Sequence, residues 1–174
     1  AASIPVVNAL SDLYHPMQIL ADLQTVRERK RRLEGLKLAY VGDGNNVCNT
    51  LLVGCPKLGL GVSVATPQGY MPLEEALQAA EASAKETGVR VELTRDPHEA
   101  VKGADVVYTD VFVSAGQEAE RERRLRAFLP RYQVNGALLG LAKEDAIVMH
   151  CLPARRGEEI TDEVLDGPKS VVWD

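Results

Sequence analysis

Cysteine is scarce in this chain. Cys48, Cys55 and Cys151 are an odd number among 174 residues, and no two of them stand in CxxC spacing. That argues against a disulfide framework and for a reducing compartment. The three histidines, His15, His98 and His150, show no ligand spacing to the cysteines, so a metal is not expected. Positive charge is not in excess: the net charge is -5, too little basic field to hold nucleic acid. The one basic run, Arg27, Arg29, Lys30, Arg31 and Arg32, reads as a solvated helix end where cations suit the helix dipole. No apolar stretch approaches the roughly 20 residues that cross a bilayer. The first ten residues lack the basic head and apolar stretch of a signal peptide. The expectation is a soluble cytoplasmic protein with no membrane partner. An initial methionine is also missing, and the chain stops at Asp174 directly after an apolar run, so it reads as one domain over 1–174, cut from a longer protein.

What is present is an ordinary globular balance, 45% hydrophobic and 26% charged residues. Short β-rich runs alternate with amphipathic ones. Tyr14 to Leu33 predicts a helix, with Pro16 in its first turn, Ile19, Leu20, Leu23 and Val26 at helical spacing, and Gly35 closing it. Further helices are expected over Val47–Leu58, interrupted at Pro56, over Leu73–Thr87, stopped by Gly88, and after the cap Asp96. Arg121–Phe128, Val134–Ala142 and Thr161–Leu165 complete the helical set. Strands are expected at Leu36–Val41, Val62–Ala65, Val89–Thr94, Asp105–Thr109, Ala146–Met149 and Ser170–Trp173. This alternation implies an α/β fold, three-layer and doubly wound, with a mainly parallel sheet and helices on both faces. In such sheets ligands lie beyond the carboxyl ends of the strands.

The first strand delivers Gly42-Asp43-Gly44-Asn45-Asn46-Val47, half of a GxGxxG fingerprint. Val47 stands where a dinucleotide site needs a third glycine, and Ala65, Thr66 and Pro67 stand where it needs an acid. Two asparagines at a helix start suit a carboxylate or amino ligand instead. The fourth strand delivers Asp110 and then Ser114-Ala115-Gly116. A carboxylate at that place suits a cation, or merely caps the next turn. The fifth strand delivers His150-Cys151-Leu152-Pro153. Neighbours in a strand face opposite ways, so His150 is a poor partner for Cys151, and a Cys–His nucleophile is not expected. His15 and Gln18 lie one turn apart on one helix face.

Together Asn8-Ala-Leu-Ser-Asp12, His15-Pro-Met-Gln18, Gly42-Asp-Gly-Asn-Asn46, Asp110-Val-Phe-Val-Ser-Ala-Gly116 and His150-Cys-Leu-Pro153 resemble, in order and spacing, the carbamoyltransferase family, its ornithine branch in particular. Ala65-Thr-Pro-Gln-Gly-Tyr70 and Ser170-Val-Val-Trp-Asp174 look similar too. The resemblance implies carbamoyl transfer from carbamoyl phosphate to ornithine, no cofactor, and a trimer-based homo-oligomer when full length. It implies that His15, Gln18, Cys151 and Leu152 meet carbamoyl phosphate. It implies that Asn46, Asp110, Ser114 and Ala115 meet ornithine. Catalytic work falls to His15, Gln18, Asp110 and Cys151, with Cys151 orienting rather than attacking. Two departures stand out: Ala115 where the family usually has methionine, and no match to the family's phosphate-binding Ser-x-Arg-Thr segment.

Overall fold

A computed structural model of the chain describes residues 3–173; Ala1, Ala2 and Asp174, the last residue of the Ser170–Asp174 segment, lie outside the described residues. Five strands, β1 (Lys37–Val41), β2 (Gly61–Ala65), β3 (Val91–Thr94), β4 (Val106–Thr109) and β5 (Ile147–His150), form one sheet in the order β3-β2-β1-β4-β5. Every neighbouring pair is parallel. The sequence direction reverses between β1 and β4, which makes the space above their carboxyl ends the natural ligand crevice.

Side chains alternate across β1 and so feed two cores. Leu38 and Tyr40 join one cluster with Ile19, Leu23 and Val26 of α1 (Pro16–Lys30), Leu51 and Leu52 of α2 (Asn46–Lys57), and Ala76 and Ala80 of α3 (Glu74–Thr87). Ala39 and Val41 join a second cluster. It is built with Val101 of α4 (Pro97–Val101), Phe128 of α5 (Arg121–Phe128), Leu138 of α6 (Gly136–Leu139) and Leu165 of α7 (Asp162–Leu165). The doubly wound reading therefore holds. Phe112, just past β4, is fully buried and stacks on Phe128 at 4.5 Å between ring centroids. Burial of one such ring contributes about 1.5–3 kcal/mol, enough to anchor the loop after β4.

Four sequence expectations need correction. The first helix ends at Lys30, because Arg31 takes the left-handed cap conformation (φ 63°); Gly35 lies in a later turn. The helix expected over Val134–Ala142 shrinks to Gly136–Leu139: Val134 forms an isolated parallel bridge to Ile160, and Asn135 caps α6 by accepting from Leu138 N at 2.9 Å. The strand expected at Ser170–Trp173 reduces to a single bridge between Ser170 and Val148. Among the described residues, Val148 N to Lys169 O and Val171 N to Val148 O alone extend the sheet there, at 2.8 and 3.0 Å. Pro56 does not break α2; it falls in the last turn, and its carbonyl accepts from Thr87 Oγ1 at 3.0 Å. The caps read at Asp96 and Gly88 are present. Arg27, Arg29 and Lys30 of the basic run occupy the last turn of α1, where Lys30 pairs with Asp145 at 2.7 Å, and Arg31 and Arg32 follow the helix. Among the described residues no helix is long and apolar enough to cross a membrane.

Candidate active site

Asn45 builds the centre of the site. As the N-cap of α2 its Oδ1 accepts from Val47 N and Cys48 N, both at 3.1 Å. Those two bonds satisfy orphan helix donors and fix the side chain. Its Nδ2 then points across the crevice and donates to Asp110 Oδ2 at 2.6 Å. Tyr40, buried beneath, donates to the Asp43 carbonyl at 2.9 Å and supports the loop from below. Asp110 itself is buried at the end of β4, and its Oδ1 accepts from Val111 N at 2.7 Å. So the carboxylate both caps its own turn and faces the crevice; the two sequence readings of Asp110 are not alternatives.

Cys151 closes the group from the end of β5. It is half-buried, and its thiol lies within 4.8 Å of the Asp110 carboxylate. Burial pushes this thiol far above its ordinary range, and the Asp110 carboxylate pushes it further. A thiol so protonated is a donor, not a nucleophile. Alkylation of Cys151 by iodoacetamide at pH 8, followed by mass spectrometry, is therefore expected to run at least about tenfold slower than that of free cysteine. A rate equal to that of free cysteine would contradict the environment described.

Asp110, His150 and Cys151 bring one ligand atom each within 4.8 Å of one another, a grouping their sequence spacing did not suggest. The imidazole is already committed. Its Nδ1 accepts from Leu152 N at 2.8 Å, so Nε2 carries the proton and faces Glu159 Oε1 at 3.1 Å. Neither ring nitrogen is left to bind a metal. His150 instead holds the backbone at Leu152, which sits in the left-handed region (φ 56°) and is partly exposed. The His150 ring is thus held by Leu152 N and Glu159, although it lies within 4.8 Å of the Cys151 sulfur, which stands just past β5.

The other residues singled out from sequence lie around this centre. Asn46 does not reach Asp110: its Nδ2 donates to Ser11 O and its Oδ1 accepts from Val47 N, both at 2.9 Å. The backbone N of His15 donates to Thr50 Oγ1 at 2.8 Å, and that hydroxyl donates to Asn46 O at 2.7 Å. His15 Nδ1 is 3.1 Å from Ala9 O. Gln18 Nε2 donates to Asp22 Oδ1 at 3.0 Å. Ser114 is half-buried, with its backbone N on Gln117 Oε1 at 3.1 Å. Ala115 is exposed and lines a cleft of about 350 Å³ with Val111, Val113, Arg121, Pro153 and Arg155.

Sequence reasoning missed Asp22 and Arg124, and it took Asn45 only as one of an asparagine pair in which Asn46 was given the ligand. Asn45 carried a signal, its position immediately before a helix. Asp22 carried one too, a carboxylate set into the apolar stripe of α1. Arg124 had none; it is buried, pairs with Asp43 at 3.1 Å and lies 5.0 Å over the Tyr70 ring.

A family model described as aspartate/ornithine carbamoyltransferase, Asp/Orn binding domain, matches residues 34–174. The ornithine carbamoyltransferase of Gloeobacter violaceus is 57% identical over 173 residues, which are 99% of this chain and 55% of that protein. That of Bacillus subtilis is 56% identical over 172 residues, 99% of this chain and 54% of that protein. The solved ornithine carbamoyltransferase of Pyrococcus furiosus superposes with a TM-score of 0.94 at 55% identity, over 99% of this chain and 55% of that one. The chain therefore spans about half the length of the curated relatives it matches. With a matching family model, relatives more than half identical and a shared fold, the chain belongs to the aspartate/ornithine carbamoyltransferase family through its Asp/Orn-binding domain.

Proposed function

We propose that this chain is the amino-acid-binding half of an ornithine carbamoyltransferase. The full-length polypeptide transfers the carbamoyl group of carbamoyl phosphate to the δ-amine of ornithine, giving citrulline and phosphate. It serves arginine biosynthesis in the cytoplasm and assembles as a homotrimer. The observation that carries this reading is the convergence of Asn45, Asp110 and Cys151, from three different strand ends, on the crevice between β1 and β4.

The chemistry follows from the residue types. Ornithine's δ-amine has a pKa near 10 in water and attacks only after losing a proton. Asp110 holds the amino-acid substrate by charge, with Ser114 and Asn46 at its other polar groups. His15 and Gln18 grip the carbamoyl group, and His15 meets the carbonyl oxygen where negative charge builds up during attack. The amine nitrogen bonds to the carbamoyl carbon, the bond to phosphate oxygen breaks, and phosphate leaves with the electron pair. No enzyme-bound covalent intermediate is needed, which agrees with the protonated thiol of Cys151. The Leu152 backbone completes the carbamoyl pocket.

The test is citrulline formation from ornithine and carbamoyl phosphate. The full-length polypeptide is expected to turn over, and this chain alone is expected not to, for want of the phosphate-binding half. Turnover of roughly 1–1000 per second by the chain alone would refute the half-site reading. A second reading, transfer to putrescine or an acylated ornithine, is favoured by the small exposed Ala115 beside its cleft. Competition among ornithine, putrescine and acetylornithine in the same assay decides between them.

A further inference from the structure

Asp22 is a carboxylate buried in the apolar stripe of α1, 6% exposed, between Ile19 and Leu23. Tyr108 of β4 donates its hydroxyl to Oδ2 at 2.7 Å, and Gln18 donates to Oδ1 at 3.0 Å. An ionised carboxylate only accepts. It therefore draws the NH2 end of the Gln18 amide inward and leaves the carbonyl oxygen to face the opposite way. We propose that Asp22 is a positioning residue that makes Gln18 a hydrogen-bond acceptor toward the ligand, so that this side chain recognises an N–H group. The identity of the ligand rests on the carbamoyl-transfer reading, in which the N–H group is the NH2 of the carbamoyl donor; the geometry does not.

A protonated Asp22 can donate, and the amide of Gln18 is then free to turn over and present its NH2 instead. Burial pushes the Asp22 carboxyl up to about 6, against the opposing hydrogen bonds from Tyr108 and Gln18. The other groups that face it are His15 just before its own helix, which favours the charged form, and Asp110 beyond β4, which disfavours it. Cys55 of α2 and Cys151 beyond β5 also feel its charge. The acceptor orientation is accordingly complete above this range and lost as pH falls through it.

Two measurements test the proposal. In the labelled chain, NMR is expected to show the Asp22 carboxyl carbon and the Gln18 side-chain amide titrating together, with a midpoint near 6. Tyr108→Phe removes a bond to the charged form, so it moves that shared midpoint upward. In the full-length polypeptide, Asp22→Asn is expected to raise the KM for carbamoyl phosphate about tenfold at pH 8, since the introduced amide turns its oxygen to Tyr108 and its NH2 to Gln18. Its carbamoyl phosphate KM should also lose the acid limb seen in the parent. Gln18 amide resonances that stay constant between pH 5 and 8 overturn the proposal, and so does an Asp22→Asn variant with an unchanged KM and acid limb. Tyr108→Phe carries the test if Asp22→Asn does not fold. If the full-length parent makes no citrulline, the carbamoyl-transfer reading falls, while the NMR titration still decides the role of Asp22.

Discussion

Replacing Asp110 with asparagine in the full-length polypeptide is expected to lower kcat/KM for ornithine by on the order of a hundredfold to a thousandfold, the effect of losing one charge from a buried charged contact. The KM for carbamoyl phosphate should move by no more than about threefold, since the contact proposed for Asp110 is with the other substrate. Two things fail at once. The negative charge proposed above to attract the amino-acid substrate disappears. In addition, the carboxylate serves two donors, Asn45 Nδ2 at 2.6 Å and Val111 N at 2.7 Å, with the Cys151 thiol close by. An asparagine offers one acceptor oxygen and an NH2, so at least one of those donors then faces another donor. The measurement is steady-state kinetics with each substrate varied in turn. A variant that weakened carbamoyl phosphate alone would remove Asp110 from the ornithine site.

Arg124→Met is expected to destabilise the fold by about 3–5 kcal/mol, the effect of leaving a buried charge without its partner. Arg124 and Asp43 are each only 7% exposed at the side chain, and their contact ties α5 to the loop after β1. Burial raises the Asp43 carboxyl to about 6, Arg124 opposes that rise, and Asp110 adds to it. A carboxyl raised in the folded state contributes stability that is full below its unfolded value and lost as pH rises through about 6. Removing Arg124 raises it further, so the variant's deficit grows between pH 5 and pH 8. Urea denaturation at both pH values reads this directly. Arg124→Met combined with Asp43→Asn removes the orphaned charge and should recover most of the loss. A deficit independent of pH, or no recovery in the double variant, would show that packing against Tyr70 matters more than the ion pair.

Most of the fold was legible because local and global signals agree along this chain. Val62–Ala65 and Arg121–Phe128 show their elements by composition alone, and Asp96 and Gly88 mark helix ends by side-chain and backbone chemistry. The failures have local causes. Val134 bonds through its own N and O to Glu159 and Thr161, and Lys169 and Val171 on either side of Ser170 bond to Val148, distant pairings that no window of neighbours reveals. Arg31 takes a left-handed cap although a glycine stood four residues further on. The site divides in the same way. Asp110 and Cys151 follow from lying at strand ends. The partition of work between Asn45 and Asn46 does not, because it depends on which amide already caps α2. The trio of Asp110, His150 and Cys151 was hidden for a similar reason: β4 and β5 are adjacent in the sheet but far apart in the chain.

Gly44 changes how the Gly-Asp-Gly start of the β1 loop should be understood. A side-chain carbon placed there would lie 2.3 Å from the backbone carbon of Met71 and the nitrogen of Pro72, and Gly44 N donates to Tyr70 O at 2.9 Å. The strand that follows β1 in the sequence therefore sends its own trailing peptide across the spot where a glycine turn elsewhere would cradle a pyrophosphate. Any alanine at this place must push two loops apart together. The glycine is tenanted by main chain, and in this lineage its loss should be read as damage to a joint between loops rather than to a nucleotide socket.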